Sequence, residues 1–217
     1  MIESFHVAIA LAPIAVYFLM IAWVRLIPRP LVVSGGRDIA TLAIGLSGAV
    51  AIGPMELFFP RAAASILGSK VWLLLFLLYV LCVLLAILAS RPRLVVYGLG
   101  VQELHEHLLA TLQELDPATS WMGEHVHAPT LGISAIVEKA GPGKVSQLVA
   151  VSHRQDLRGW FAVEQCLVKR FQSVQIHTMP TGFFYLTLGL MILAMAGFAL
   201  LRDPIATAES MRQMMRF

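Results

Sequence analysis

Four long apolar stretches and one polar central section dominate the hydropathy pattern of this chain. The stretches cover residues 5–24, 39–59, 71–89 and 181–201, and polar positions are interleaved with apolar ones only in the section before the last stretch. A helix needs about twenty apolar residues to cross the hydrocarbon core of a bilayer. The pattern therefore predicts an α-helical polytopic membrane protein with four transmembrane helices and an inserted polar domain.

Composition supports an assignment to lipid rather than to water. The chain is 58% hydrophobic and 13% charged, with a mean hydropathy of +0.78. The stretch 71–89 contains no charged residue at all. A helix made of these residues would aggregate in water, whereas in lipid its backbone polar groups are satisfied within the helix. The lipid bilayer is thus the first expected partner.

The central section, residues 91–176, has the periodicities of an α+β domain. Apolar residues recur every three or four positions over 101–115 and 156–172, which indicates two amphipathic helices. The order β-α-β-β-β-α predicts an antiparallel sheet with both helices on one face. Strands are expected at 93–97, 121–127, 131–138 and 145–152. Along 131–138 the apolar residues alternate, which places Leu131, Ile133, Ala135 and Val137 on one side. The buried face of the second helix is expected to hold Leu157, Trp160, Phe161, Leu167, Val168 and Phe171.

These elements divide the chain into three regions. Residues 1–90 hold the first three transmembrane helices, and residues 91–176 form the α+β domain. Residues 177–217 hold the fourth transmembrane helix and a short amphipathic tail.

The distribution of positive charge predicts the orientation in the membrane. Lys and Arg are enriched in loops on the cytoplasmic side. With both termini outside, the first loop and the central domain carry 11 of the 16 Lys and Arg residues. The expected topology therefore has a cytoplasmic central domain and both the N-terminus and the C-terminus outside the cell membrane.

A small-residue pattern marks the second apolar stretch. Gly45, Ala49 and Gly53 recur every four residues and so lie on one face of a helix. Small residues at this spacing allow a neighbouring helix to approach closely in lipid. We expect this face to pack against another helix of the same chain, or alternatively against a second copy.

Two ionisable residues fall within the apolar stretches. His6 and Glu56 are expected near the outer ends of the first two spans, and Pro54 is expected to break or kink the helix just before Glu56. Intramembrane ionisable groups are candidates for ion or proton binding. Their shallow depth favours instead a structural pair, or side chains that reach the headgroups.

The central domain offers one metal hypothesis. His125 and His127 alternate on a predicted strand and would face the same side, as two metal ligands must. A third ligand would come from His105, Glu106 or His153. Uncoordinated surface or partly buried histidines are the simpler interpretation.

No pattern in the sequence indicates catalysis, a cofactor or nucleic-acid binding. Cys82 and Cys166 are too far apart in the predicted architecture to form a disulfide, and no basic stripe follows either domain helix. The expected function is therefore a non-enzymatic membrane subunit or scaffold that contacts other membrane-protein subunits or copies of itself. A small transporter or channel component using His6 and Glu56, and a metal-responsive membrane sensor, are the alternatives.

Overall fold

A computed structural model describes residues 4–55, 57, 59–141, 143–151, 155–177, 180–202, 204 and 208–209. The chain divides into two compact units. Segments 1–23, 40–86 and 183–217 form the first, which we call the membrane-helix unit. Val24–Ile39 and Ile87–Gly182 form the second, the α+β unit, which therefore includes the ends of the apolar helices that precede and follow it.

Within the described residues, four helices are long and apolar enough to cross a membrane. They are α1 (Ser4–Leu26), α2 (Gly35–Val50) with its continuation to Met55, α4 (Lys70–Ala89) and α7 (Thr181–Arg202). A short helix, α3 (Arg61–Leu67), lies between the second and the third. The second begins earlier than its apolar stretch and passes into a π-helical turn over Ala51–Met55. That turn contains Pro54, the residue expected to interrupt the helix. Of the predicted tail, only residues 204, 208 and 209 lie within the described part of the chain.

The packing of α1 on α2 begins with Pro13, which lies inside α1. Proline has no N–H, so the carbonyl of Ile9, four residues earlier, lacks its usual helical donor. This carbonyl lies directly against Gly48 of α2, where any side chain would overlap it. Pro13 and Gly48 are thus complementary, because the carbonyl exposed by the proline is accommodated by the glycine.

Other contacts link the remaining helices of the membrane-helix unit. The Tyr79 hydroxyl of α4 donates a hydrogen bond of 2.6 Å to the carbonyl of Ala43 in α2. Phe18 of α1 stacks on Tyr185 of α7 with ring centroids 6.1 Å apart. The helices of this unit therefore contact one another in the order α4, α2, α1, α7.

The α+β unit is built on a six-stranded antiparallel sheet with the order β1-β2-β6-β5-β4-β3. Its strands are β1 (Leu31–Ser34), β2 (Arg93–Tyr97), β3 (Ser120–Met122), β4 (His125–Ala128), β5 (Ile133–Lys139) and β6 (Val145–Ala150). Helix α5 (Val101–Leu115) follows β2, and α6 (Leu157–Phe171) follows β6.

One hydrophobic core joins both helices to one face of the sheet, as the periodicity predicts. Leu104, Leu108 and Leu112 of α5 are fully buried against alternate strand residues such as Val137 and Leu148. From α6, Trp160, Val163, Leu167 and Phe171 enter the same core. The alternating positions Ile133, Ala135 and Val137 are buried, so the predicted inward face of β5 is confirmed.

Two strand predictions are wrong. The first loop, which the hydropathy pattern treats as a connection, supplies β1, and Val32 pairs with Val96 of β2. The single strand predicted over 121–127 is instead a hairpin of β3 and β4. Gly123 turns this hairpin with φ +63, a conformation that side-chain-bearing residues rarely adopt.

Half of the predicted buried face of α6 is also wrong. Leu157, Phe161 and Val168 are 68%, 59% and 42% exposed, although each continues the apolar pattern. They lie beside the core stripe rather than within it. Two of the three, Leu157 and Phe161, line the cavity described below.

A buried carboxylate closes the end of α5. The side chain of Asp116 accepts hydrogen bonds from the backbone N–H groups of Ala118 (3.0 Å) and Thr130 (2.8 Å). Burial alone would raise the pKa of Asp116, but hydrogen bonds from Thr130, Ala118 and Leu131 outweigh it and hold the pKa below its usual value. Asp116 thus ties the end of α5 to the turn before β5.

This arrangement predicts acid sensitivity of the α+β unit. A carboxyl whose pKa is lower in the folded than in the unfolded chain stabilises the fold above the unfolded pKa of about 3.9, and that contribution is lost as the pH falls through the folded value. Asp116→Asn should lower the thermal midpoint at neutral pH and flatten its decline below about pH 5. Tryptophan fluorescence melts at a series of pH values measure both effects. Glu106→Gln, which removes an exposed carboxyl on α5, is the control; an Asp116→Asn profile parallel to wild type would contradict the assignment.

Candidate functional site

The second face of the sheet carries a polar network where it meets the start of α2. Asp38 accepts a hydrogen bond of 3.0 Å from the Tyr97 hydroxyl and one of 3.2 Å from the Arg93 guanidinium. Arg93 and Tyr97 alternate with inward-facing residues of β2, so both point away from the helix-covered face. The network fixes the first turns of α2 on the sheet.

Two glycines allow this close approach. A side chain at Gly35 would overlap the aliphatic stem of Arg93, and a Cβ at Gly36 would come within 3.1 Å of the Ile87 side chain near the end of α4. The Gly35-Gly36 pair therefore brings the start of α2 against both β2 and the end of α4 within the α+β unit.

A cavity of about 500 Å³ lies beside these glycines. Its lining includes residues from the start of α2, the end of α4, the segment that leads into β2, and the first turns of α6. All of these segments belong to the α+β unit. The volume is in the range of about 300–1,000 Å³ typical of small-molecule sites.

Hydrogen bonds hold the α6 side of the cavity in place. The Trp160 indole donates a 2.8 Å hydrogen bond to the Gln155 side chain, whose amide in turn donates to the carbonyl of Ser134. Gly159 lies so close to the carbonyl of Leu131 that a side chain there would overlap it. The start of α6 is therefore closely fitted to β5 and the turn before it.

The charged residues that line the cavity are Arg91, Arg93 and Glu164. Glu164 is neutralised in part by Arg37, at 3.7 Å, and Arg93 by Asp38, at 3.2 Å. The Arg93 Nε is buried without a hydrogen-bond partner. Arg91 is exposed and makes no ion pair with the residues that the structure describes. The lining thus carries an excess of positive charge.

The predicted metal pair lies elsewhere, on the open part of the sheet. His125 and His127 of β4 are exposed and face the same side. His105 lies on the helix-covered side instead, where its ring is 4.0 Å from that of Trp121, the partner of buried Val126. Glu106 is on the same helix, and His153 lies outside the described residues. Within the described segments no group of three metal-ligating side chains occurs, and the pair stays a prediction.

The predicted intramembrane pair is only half described. His6 is partly buried in α1, with its ring 6.3 Å from that of Phe5. Glu56 lies outside the described residues. The π-helical turn Ala51–Met55 ends immediately before it. An ion or proton site at His6 and Glu56 therefore stays a prediction.

The predicted small-residue face has one member at a close contact. Gly45 is buried against Tyr17 of α1, where a Cβ would come within 2.7 Å of the tyrosine Cβ. Ala49 is partly buried, and Gly53 has no heavy atom within 4 Å of an added Cβ. Gly48, three residues after Gly45, makes the closer approach to α1 and is absent from the predicted set.

Sequence reasoning does not find the cavity, because its residues come from three separate segments of the chain. The local signal was present in Ser34-Gly35-Gly36, directly before an apolar helix, and in Arg91 and Arg93, directly after one. No protein-family model, no curated protein and no solved structure matches the chain.

Proposed function

We propose that this chain is a non-enzymatic scaffold subunit of the cell membrane. Its four apolar helices cross the bilayer, and its α+β unit lies on the cytoplasmic side with both termini outside. The α+β unit makes protein–protein contacts with a second copy of the chain or with another membrane subunit.

One observation carries the proposal: the α+β unit incorporates the ends of all four apolar helices. Arg25 near the end of α1 donates a 3.0 Å hydrogen bond to Thr181 at the start of α7. Asp38 joins α2 to β2, and Gly36 contacts Ile87 of α4. Because the helix ends are packed into the α+β unit, this unit fixes the spacing between them. Such an arrangement suits a structural subunit better than a domain on a flexible linker would.

The pairing of β1 with β2 agrees with the proposed topology. β1 follows the first apolar helix and β2 follows the third, and the two strands form one sheet. Two crossings separate these segments, so a four-span chain presents both on the same side. The first loop and the central domain together carry 11 of the 16 Lys and Arg residues. This enrichment favours the cytoplasmic side for both segments.

A surface for protein contacts is available on the sheet. The helices cover one face, while on the other face the strands farthest from α2 are open to solvent. Met122 of β3 is 74% exposed, beside exposed His125. The same strand is one of the two edge strands of the sheet, and edge strands have unpaired backbone groups that a second chain can bind.

Site-specific photo-cross-linking in native membranes tests the proposal. A photoreactive amino acid at Met122 should give a discrete product, either at twice the mass of the chain or with one other membrane protein. The same group at Gln113, an exposed position on α5, is the matched control and should give little product. Absence of any product from Met122, together with a monomer in mild detergent, would overturn the proposal.

A further inference from the structure

The apolar stripe at the start of α6 is exposed on the wall of the cavity. Leu157 and Phe161 line the cavity and are 68% and 59% exposed. Leu88, in the last turn of α4, lines it as well and is 80% exposed. Three large apolar side chains in one place, within the α+β unit, indicate a surface that is covered when the protein is in its membrane.

The position of this stripe indicates what covers it. Leu88 belongs to the helix of highest hydropathy, Lys70–Ala89, which is long enough to span the bilayer. The last turn of this helix ends at Ala89, directly before Ser90 and the two arginines, Arg91 and Arg93. A site at this depth meets the boundary between acyl chains and headgroups. The apolar residues of the lining continue into a helix long enough to span the bilayer. Lipid is therefore the apolar partner expected next to them.

The cavity lining also includes polar and positively charged groups. Arg91 has its guanidinium without an ion-pair partner in the described segments, and the Arg93 Nε is buried and unbonded. The first turn of α2, at Gly35 and Gly36, adds backbone N–H groups that have no acceptor within the helix. Guanidinium groups and helix N-termini both favour phosphate oxygens.

We propose that this cavity binds a phospholipid, with the headgroup phosphate at Arg91 and Arg93 and the acyl chains along Leu88, Leu157 and Phe161. Glu164 also faces the cavity, and its charge is offset by Arg37. Because the lining remains positive overall, an anionic phospholipid is favoured over a zwitterionic one. The proposed lipid site rests on the insertion of the four helices in a bilayer and needs no protein partner.

Native mass spectrometry of the delipidated full-length chain in detergent tests the site. Phosphatidylglycerol should be retained with an affinity about tenfold above that for phosphatidylcholine, as a charge-assisted phosphate contact implies. Arg91→Gln should remove most of this preference. Arg158→Gln, which removes an equal charge from an exposed position on α6 outside the cavity, should leave it unchanged. Equal retention of phosphatidylglycerol by Arg91→Gln and wild type would overturn the proposal.

A second comparison separates a lipid from a soluble phosphate. Phe161→Gln should weaken retention of a long-chain phosphatidylglycerol severalfold while leaving a short-chain analogue almost unaffected, because only the long chain reaches the apolar stripe. Soluble glycerol phosphate should compete poorly. Strong competition by glycerol phosphate, with no effect of Phe161→Gln, would identify the cavity as a site for a soluble phosphate and exclude the lipid.

Discussion

Phe171→Ala should lower the free energy of unfolding of the α+β unit by about 3–5 kcal/mol, as expected for a large aromatic removed from a closed core. Phe171 is 2% exposed in the cluster that joins α6 to the sheet, and its ring meets His107 of α5 edge-to-face at 5.4 Å. A single domain is stable by only about 5–15 kcal/mol, so this loss is a large fraction of the total. Chemical unfolding in detergent, followed by the fluorescence of Trp121 and Trp160, measures it.

Phe161→Ala is the matched control for this experiment. It makes the same change in the same helix, at a side chain that is 59% exposed. Exposed substitutions of this kind usually change stability by less than about 0.5 kcal/mol. Similar losses for the two variants would contradict the burial pattern of α6 and, with it, the exposed stripe that lines the cavity.

Gly48→Ala should destabilise the membrane-helix unit by about 1–3 kcal/mol, the usual cost of overpacking. The new methyl group would overlap the Ile9 carbonyl and lie 3.0 Å from the Pro13 ring. The helices must then separate, which removes the close packing that stabilises helix association in lipid. The thermal midpoint of the helical circular dichroism signal in detergent is the measurement.

Gly53→Ala provides the comparison, since nothing lies within 4 Å of a Cβ at Gly53. It should be neutral or slightly stabilising, because alanine is less flexible than glycine in the unfolded chain. If Gly53→Ala were the more harmful of the two, the close contact of the helices would lie on the face predicted from Gly45, Ala49 and Gly53, and the contact at Gly48 would be wrong.

The apolar helices and the α+β architecture follow from sequence because each depends on local periodicity. Both ends of α5, Val101 and Leu115, match the helix predicted over 101–115. The helix is bounded by Gly100 before it and by Asp116-Pro117 after it. The alternation in β5 predicted its buried side. Such patterns are visible in one segment at a time.

The errors arise where a segment's environment is supplied by distant residues. The run Leu31–Ser34 is short, but it contains two β-branched valines and is bounded by Pro30 and Gly35, which is typical of a strand. Its position between two apolar helices led to its assignment as a loop. In α6, Phe161 and Phe171 are equally apolar, and only packing against the sheet and α5 decides which of them is buried. The cavity could not be predicted, because Arg91, Gly35 and Phe161 meet only in three dimensions.

The strand β1 also imposes an order on biosynthesis. In the proposed topology, its partner β2 is synthesised only after α2, α3 and α4, so the edge of the sheet that β1 forms stays incomplete until these helices have been made. Until β2 is synthesised, the backbone of Leu31–Ser34 has no partner strand, and the first loop remains unpaired. In that topology the sheet is completed only in a chain whose second and third hydrophobic helices have both entered the membrane, because this returns β2 to the side of β1.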